Sequence, residues 1–446
     1  MREAIGPATP LGRLIGGSGS FPDRRAIAAI CTAHPDVLQI TLAHAASNDD
    51  SVMVEATCNQ VNQDGGYTGM TPQAFHDHVS ALAQGAALKP GRLVLGGDHL
   101  GPNPWKHLPA EEAMKKAEVM IAAYVRAGFR KLHLDTSMGC AGEPQALDDD
   151  VVAARAARLA VIAEKVSVEK GSGAPVYIIG TEVPPPGGAF ESLDHLAVTE
   201  PEAAIRTFEV HRAAFARHGV AAAFARVAGL VVQPGVEFGD DGVAMYEPGK
   251  ARPLAAALAH LPGIVFEAHS TDYQPLERLQ SLAADGFAIL KVGPALTFAW
   301  REAMYGLDQI NAVLTGEPPS LAPKMEVVML QQPEHWASYY HGTGERVRVQ
   351  RHFSYSDRIR YYWPLPPARA AVNGLLDSLG DTIIPQTLIS QFLAARYGDV
   401  VVGRLRPTAC QLIAASVRSV LDTYWKASMP HNDIRAWPAR TSQHSS

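Results

Sequence analysis

Two imidazoles and a set of carboxylates stand where short apolar runs of this chain end. Leu93-Val94-Leu95-Gly96-Gly97 leads into Asp98 and His99, and Ile264 to Ala268 leads into His269, Ser270 and Asp272. Asn59, Asp135, Glu182, Gln233 and Glu237 follow other such runs, and Lys291 lies just inside the last of them. Two imidazoles and one carboxylate from separate strands can hold a divalent metal and leave a position open for substrate. His99, His269 and Glu182 are the expected ligands. Asp98, beside His99 but pointing differently, is then a free acid or base, and Glu182 is the other carboxylate able to take a proton. Asn59, Asp135, Gln233, Ser270, Asp272 and Lys291 are the expected substrate contacts. Alternatives stay open for single residues. Asp98 could cap a turn, each histidine could be hydrogen-bonded in the core, and Lys291 could form a Schiff base or neutralise carboxylates.

Such residues meet only if their strands share one rim. Strand-like runs fall at Ala26–Thr32, Ser51–Thr57, Leu93–Leu95, Arg130–Thr136, Pro175–Gly180, Val227–Val232, Ile264–Ala268 and Phe287–Val292. They are short, branched and without alternation, as strands buried on both faces are. Helical spacing separates them, with Thr71-Pro72 as a start signal and Gly128 and Gly286 as stops. Eight strand–helix units predict a (β/α)8 TIM barrel whose chemistry sits at the strands' C-terminal ends. An open doubly wound sheet is the alternative, disfavoured because no G-x-G-x-x-G follows the first strand. Gly96 and Gly97 are expected to let the chain turn tightly and a ligand come close.

The 446 residues are 47% hydrophobic, enough for a large core. Residues 1–25 read as a flexible arm, 26–314 as the barrel, and 315–446 as a mainly helical C-terminal extension packing on it. Within the extension, Phe353 to Pro364 is rich in aromatics and arginine, suiting either a lid or subunit contact or a core strand. A net charge of −6 with no basic stripe argues against nucleic acid. No apolar run approaches the ~20 residues of a membrane span, and the four scattered cysteines fit a reducing compartment. A cytoplasmic protein is expected.

Longer motifs carry a resemblance. Asn59-Gln60-Val61-Asn62-Gln63 with Gly65-Gly66-Tyr67-Thr68-Gly69, Gly96-Gly97-Asp98-His99-Leu100-Gly101-Pro102, His133-Leu134-Asp135, Gly180-Thr181-Glu182-Val183-Pro184, Glu267-Ala268-His269-Ser270-Thr271-Asp272, Lys291-Val292-Gly293-Pro294 and Ser356-Asp357-Arg358-Ile359-Arg360-Tyr361-Tyr362-Trp363-Pro364 resemble the GatZ/KbaZ family. That family is named for the accessory subunit of class II tagatose-1,6-bisphosphate aldolase. Some of its members are described as metal-dependent epimerases acting at C4 of ketohexoses. The resemblance implies a barrel related to zinc-dependent class II aldolases, with zinc, or manganese, nickel or cobalt, as the divalent metal. Asp98 and His99 resemble the catalytic Asp and first zinc His of those enzymes, Glu182 their fifth-strand Glu, and His269 their seventh-strand zinc His. Two stretches depart. Gln233-Pro234 stands where the aldolases have a zinc His, and Ser270-Thr271-Asp272 replaces their phosphate-cradling Gly-Gly-Ser-Gly.

The expected activity is therefore retro-aldol and aldol chemistry at C3–C4 of a ketohexose, ending in C4 epimerisation of fructose- and tagatose-type sugars. Loss of the phosphate loop favours an unphosphorylated sugar. The alternative is a non-catalytic partner that stabilises an aldolase catalytic subunit. A homo-oligomer is also compatible with the sequence.

Overall fold

Eight parallel strands close into a barrel in the computed structural model, which describes residues 9–16, 25–171, 173–181 and 196–429. They are β1 (Ile27–Ile30), β2 (Val52–Thr57), β3 (Leu93–Leu100), β4 (Lys131–Leu134), β5 (Val176–Ile179), β6 (Val227–Val232), β7 (Val265–Ala268) and β8 (Phe287–Val292). Each pairs with its neighbours in sequence, and β1 pairs with β8, so the sheet has no edge and is not an open one. The strands are buried on both faces because side chains fill the inside and helices cover the outside. Thr71 caps the helix Pro72–Gly85 by accepting the Ala74 N–H at 3.3 Å. Gly128 ends the helix Ala110–Ala127 with a φ of 96°, a conformation that costs other residues a clash at Cβ.

The lower barrel is an apolar plug that includes Ile27, Met53, Val94, Ile178, Val231 and Ile289. Residues 10–16, inside the stretch expected to be a flexible arm, form the helix Pro10–Gly16. Its Leu11 is buried against that plug and shuts the floor. Burial of one leucine contributes about 1.5–3 kcal/mol, which is the reason for order there.

The helix Pro294–Thr315 follows β8 and starts directly after Gly293, because Pro294 suits a first helical turn. Further helices lead to Ala409–Ser428, which packs against Pro294–Thr315, Leu276–Ala284 and Pro35–Ser47. Tyr424 donates its hydroxyl to the Thr271 carbonyl at 2.7 Å, tying this last helix to the loop after β7. The aromatic-arginine run is not a core strand. It forms a 3-10 turn over Arg358–Tyr361 at the barrel mouth. There Tyr361 meets Tyr67 edge-on at 4.7 Å, and the Tyr355 carbonyl accepts the Tyr273 hydroxyl at 2.6 Å. Among the described residues no helix is long and apolar enough to cross a membrane.

Candidate metal centre and active site

A bulge puts two adjacent side chains of β3 into one cavity. Gly97 pairs with Leu132 and Leu100 with Leu134, so Asp98 and His99 together stand opposite the single residue His133. Alternation would send neighbours to opposite faces. The extra residue breaks it, and His99 takes a left-handed φ of 49°. That conformation costs a non-glycine residue about 1–3 kcal/mol and is typical of functional sites. Ser270, after His269, is held similarly at 52°. The glycines do something other than expected. Neither Gly96 nor Gly97 makes a turn, since β3 runs on to Leu100. A Cβ on Gly96 would lie 2.8 Å from the Glu55 side chain, and one on Gly97 2.5 Å from Leu100 and 2.8 Å from Tyr124. They make room for neighbouring side chains, not for a ligand.

Three imidazoles then converge from β3, β4 and the end of β7. The ring centroids of His99, His133 and His269 are 4.9, 5.1 and 5.3 Å apart. Ligand atoms of these three and Asp98 all lie within 4.8 Å of one another, and all four residues are buried. Each ring has a carboxylate on one nitrogen. His99 Nδ1 is 2.8 Å from Asp135, His133 Nδ1 is 2.9 Å from Asp98, and His269 Nε2 is 3.0 Å from Glu267. Carboxylates behind imidazoles fix the tautomer and orient the other nitrogen toward a cation. His133 Nε2 is buried without a hydrogen-bond partner among the described residues, a cost that a bound cation would remove. Burial lowers the His269 ring to about 3, so it is neutral and able to ligate. Three histidines with an adjacent carboxylate thus fit a divalent metal.

Beneath the imidazoles lies a charged layer. Lys131 Nζ sits 2.6 Å from Glu55 and 2.7 Å from Glu267, close ion contacts that are not aligned as hydrogen bonds. Lys291 binds Glu55 and lies 2.6 Å from Asp98. Burial alone would push the Asp98 carboxyl up. The His99 ring and the Lys291 ammonium outweigh it and hold Asp98 well below the usual carboxylate range. Burial likewise opposes the charge on Lys291, but Asp98 and its other anionic neighbours raise it well above an ordinary lysine. These contacts place Lys291 as a neutraliser of carboxylates, one of the two roles open to it from sequence. Burial also keeps Cys31, on the cavity wall, a thiol.

A family model for D-tagatose-1,6-bisphosphate aldolase subunit GatZ/KbaZ-like proteins matches residues 19–429. The chain belongs to the GatZ/KbaZ-like family. It is 52% identical over 404 residues to D-tagatose 6-phosphate 4-epimerase of Agrobacterium fabrum, covering 90% of this chain and 94% of that protein. It is 57% identical to a protein of Sinorhizobium meliloti whose crystal structure is described as that of a probable tagatose 6 phosphate kinase. That match has a TM-score of 0.84 and covers 90% of this chain and 100% of the other.

In this GatZ/KbaZ-like chain the residues singled out from sequence fare differently. Asp98, His99 and His269 meet, and with Asn59, Ser270, Asp272 and Lys291 they line one cavity. Asp135 stands behind His99 and also accepts the Ser137 hydroxyl at 2.7 Å. Gln233 is not brought to the cavity wall. Its amide oxygen accepts Gly235 and Val236 N–H groups at 2.8 and 2.9 Å, closing its own turn. Glu182 lies outside the described residues. His133, Glu55, Lys131 and Glu267 were missed as site residues. Lys131, His133 and Asp135 occupy alternate positions of one strand and its exit, and that period-2 spacing of polar residues was the available signal.

Proposed function

We propose that this chain is a metal-dependent epimerase that inverts C4 of a ketohexose 6-phosphate, interconverting D-tagatose 6-phosphate and D-fructose 6-phosphate. The observation that carries this is the trio of carboxylate-backed imidazoles beside Asp98 in one cavity. The substrate follows the name of the Agrobacterium relative, and it replaces the unphosphorylated sugar favoured from sequence.

His99, His133 and His269 would hold the metal, with zinc, manganese, nickel and cobalt all suited to such donors. When bound, it supplies a Lewis acid for the C2 carbonyl. Asp98 Oδ1 faces His133 and Lys291, while Oδ2 lies 3.6 Å from His99 Nε2. Asp98 is ionised and takes the proton from the C4 hydroxyl as the C3–C4 bond breaks. The products are a three-carbon enediolate and a three-carbon aldehyde that keeps the phosphate. The aldehyde turns its other face, the bond re-forms, and Asp98 returns the proton to O4. The buried cations Lys131 and Lys291 limit the negative charge around this step.

The test is to incubate the purified chain with D-tagatose 6-phosphate, without ATP and without any second protein, and follow the sugar by NMR. D-fructose 6-phosphate is the expected product. A requirement for ATP would favour the kinase description of the Sinorhizobium relative. An inert chain that restores activity to a separate aldolase would favour the accessory-subunit reading, which rests on the family's description.

A further inference from the structure

In many barrels a phosphate rests on backbone N–H groups after the seventh and eighth strands, at a helix N-terminus. Here that place is filled from within. Asp272 Oδ1 accepts the Gly293 N–H at 3.0 Å and the Ala295 N–H at 2.8 Å, at the start of the helix Pro294–Thr315. A phosphate brought there would meet a carboxylate already holding those donors, so it must be gripped elsewhere.

Among the described residues two permanent cations line the cavity, Lys291 and Arg360. Lys291 is committed to Glu55 and Asp98. Arg360, from the turn at the barrel mouth, has no carboxylate partner within ion-pair distance among the described residues. Its Nη1 donates to the Ser356 carbonyl and, at 3.0 Å, to that of Asp357, and its Nη2 donates to the Tyr361 hydroxyl at 3.0 Å. These bonds fix the guanidinium. They leave Nε–H and one Nη2 hydrogen without an acceptor among the described residues. The turn that delivers it is itself anchored, for Asp357 has a left-handed φ of 46° and accepts the Thr297 hydroxyl at 2.5 Å. The cavity over the imidazoles holds about 80 Å³, small for a ligand site. A second cavity of about 460 Å³ shares Tyr67 and Arg360 as walls. Arg360 therefore stands where the far end of a sugar leaves the metal centre.

We infer that Arg360 grips the substrate phosphate and tethers the aldehyde fragment while its carbonyl turns over. A preorganised guanidinium suits a phosphate because two N–H groups meet two oxygens. A tether at the phosphate lets the far carbon rotate without escape. The C-terminal extension would then set the preference for phosphorylated sugars. This rests on the proposed epimerase reading.

Arg360→Gln and Arg360→Lys are to be compared with the unaltered chain on D-tagatose 6-phosphate and on D-tagatose. The kcat/KM for the 6-phosphate should fall at least about tenfold in Arg360→Gln, the loss expected for a charge-assisted hydrogen bond. The loss on free tagatose should be several times smaller, and Arg360→Lys should recover part of the loss on the 6-phosphate. Arg360→Gln should also release three-carbon aldehyde phosphate, detected with a trapping dehydrogenase. Calorimetry with inorganic phosphate reads the grip apart from turnover, so it judges Arg360 even if no epimer forms. Equal phosphate binding by the unaltered and Arg360→Gln chains, or equal losses on both sugars, would overturn the inference. An unaltered chain that binds phosphate through Arg360 yet makes no epimer would overturn the epimerase reading instead.

Discussion

His133 Nδ1 lies 2.9 Å from Asp98 Oδ1, joining β4 to the bulge of β3. The same nitrogen is 3.2 Å from the His99 backbone N–H. Protonated, it donates to Asp98 and leaves Nε2 bare. Unprotonated, it accepts from His99. A cation on Nε2 selects the first arrangement and makes His133 the third ligand, where class II aldolases use a histidine after the sixth strand and this chain has Gln233.

His133→Ala should therefore remove bound metal and lower turnover by about 100-fold or more, beyond the loss usual for a mere supporting partner. Gln233→Ala, which opens only its own turn, should leave metal content intact. Metal analysis of both purified variants decides this, and a His133→Ala chain with full metal content would exclude the histidine as a ligand.

Lys131 is the sole ammonium within 3 Å of both Glu55 and Glu267 among the described residues. Lys131→Met leaves two buried carboxylates short of a cation and should destabilise the barrel by about 3–5 kcal/mol. Pairing it with Glu55→Gln should recover part of that loss, which a double-mutant cycle in urea would read.

His211 is buried, hydrogen-bonded through Nδ1 to the Thr207 carbonyl, and lowered to about 4 by burial. The unfolded chain takes up this proton near pH 6.5, before the folded one does. Stability should fall as pH drops from about 6.5 to about 4, by about 3 kcal/mol in all from this group. His211→Phe should flatten that limb of a urea-midpoint-against-pH curve. An unchanged slope would show that the ring titrates normally.

Retro-aldol inversion leaves the C4–H bond intact. Epimerisation in D2O should therefore give product with protium at C4. Solvent deuterium at C4 in the NMR spectrum would point to proton abstraction from carbon and against the chemistry proposed for Asp98.

The eight strands were legible because short branched apolar runs punctuated by glycine and proline have few other readings. β6 and β8 begin and end where their sequence patterns do. Asp98, His99 and His269 were legible because they sit outside such runs. Glu55 and Glu267 were not, since each interrupts an apolar strand and pairs with Lys131 from another strand, a relationship with no trace in the local sequence. Lys131 and His133 left only the alternation of polar residues through β4 as a trace. The turn around Arg360 was visible as an aromatic-arginine cluster, but its place over the mouth depends on Thr297, Tyr67 and Tyr273, all distant in the chain.

The most direct test is to strip the chain with a chelator, assay C4 inversion of D-tagatose 6-phosphate, and titrate zinc, manganese, nickel and cobalt back singly. The stripped chain should be inactive. Activity should return in proportion to metal bound, saturating at a single ion per chain. Full activity in a chain shown to be metal-free would contradict the role given to His99, His133 and His269.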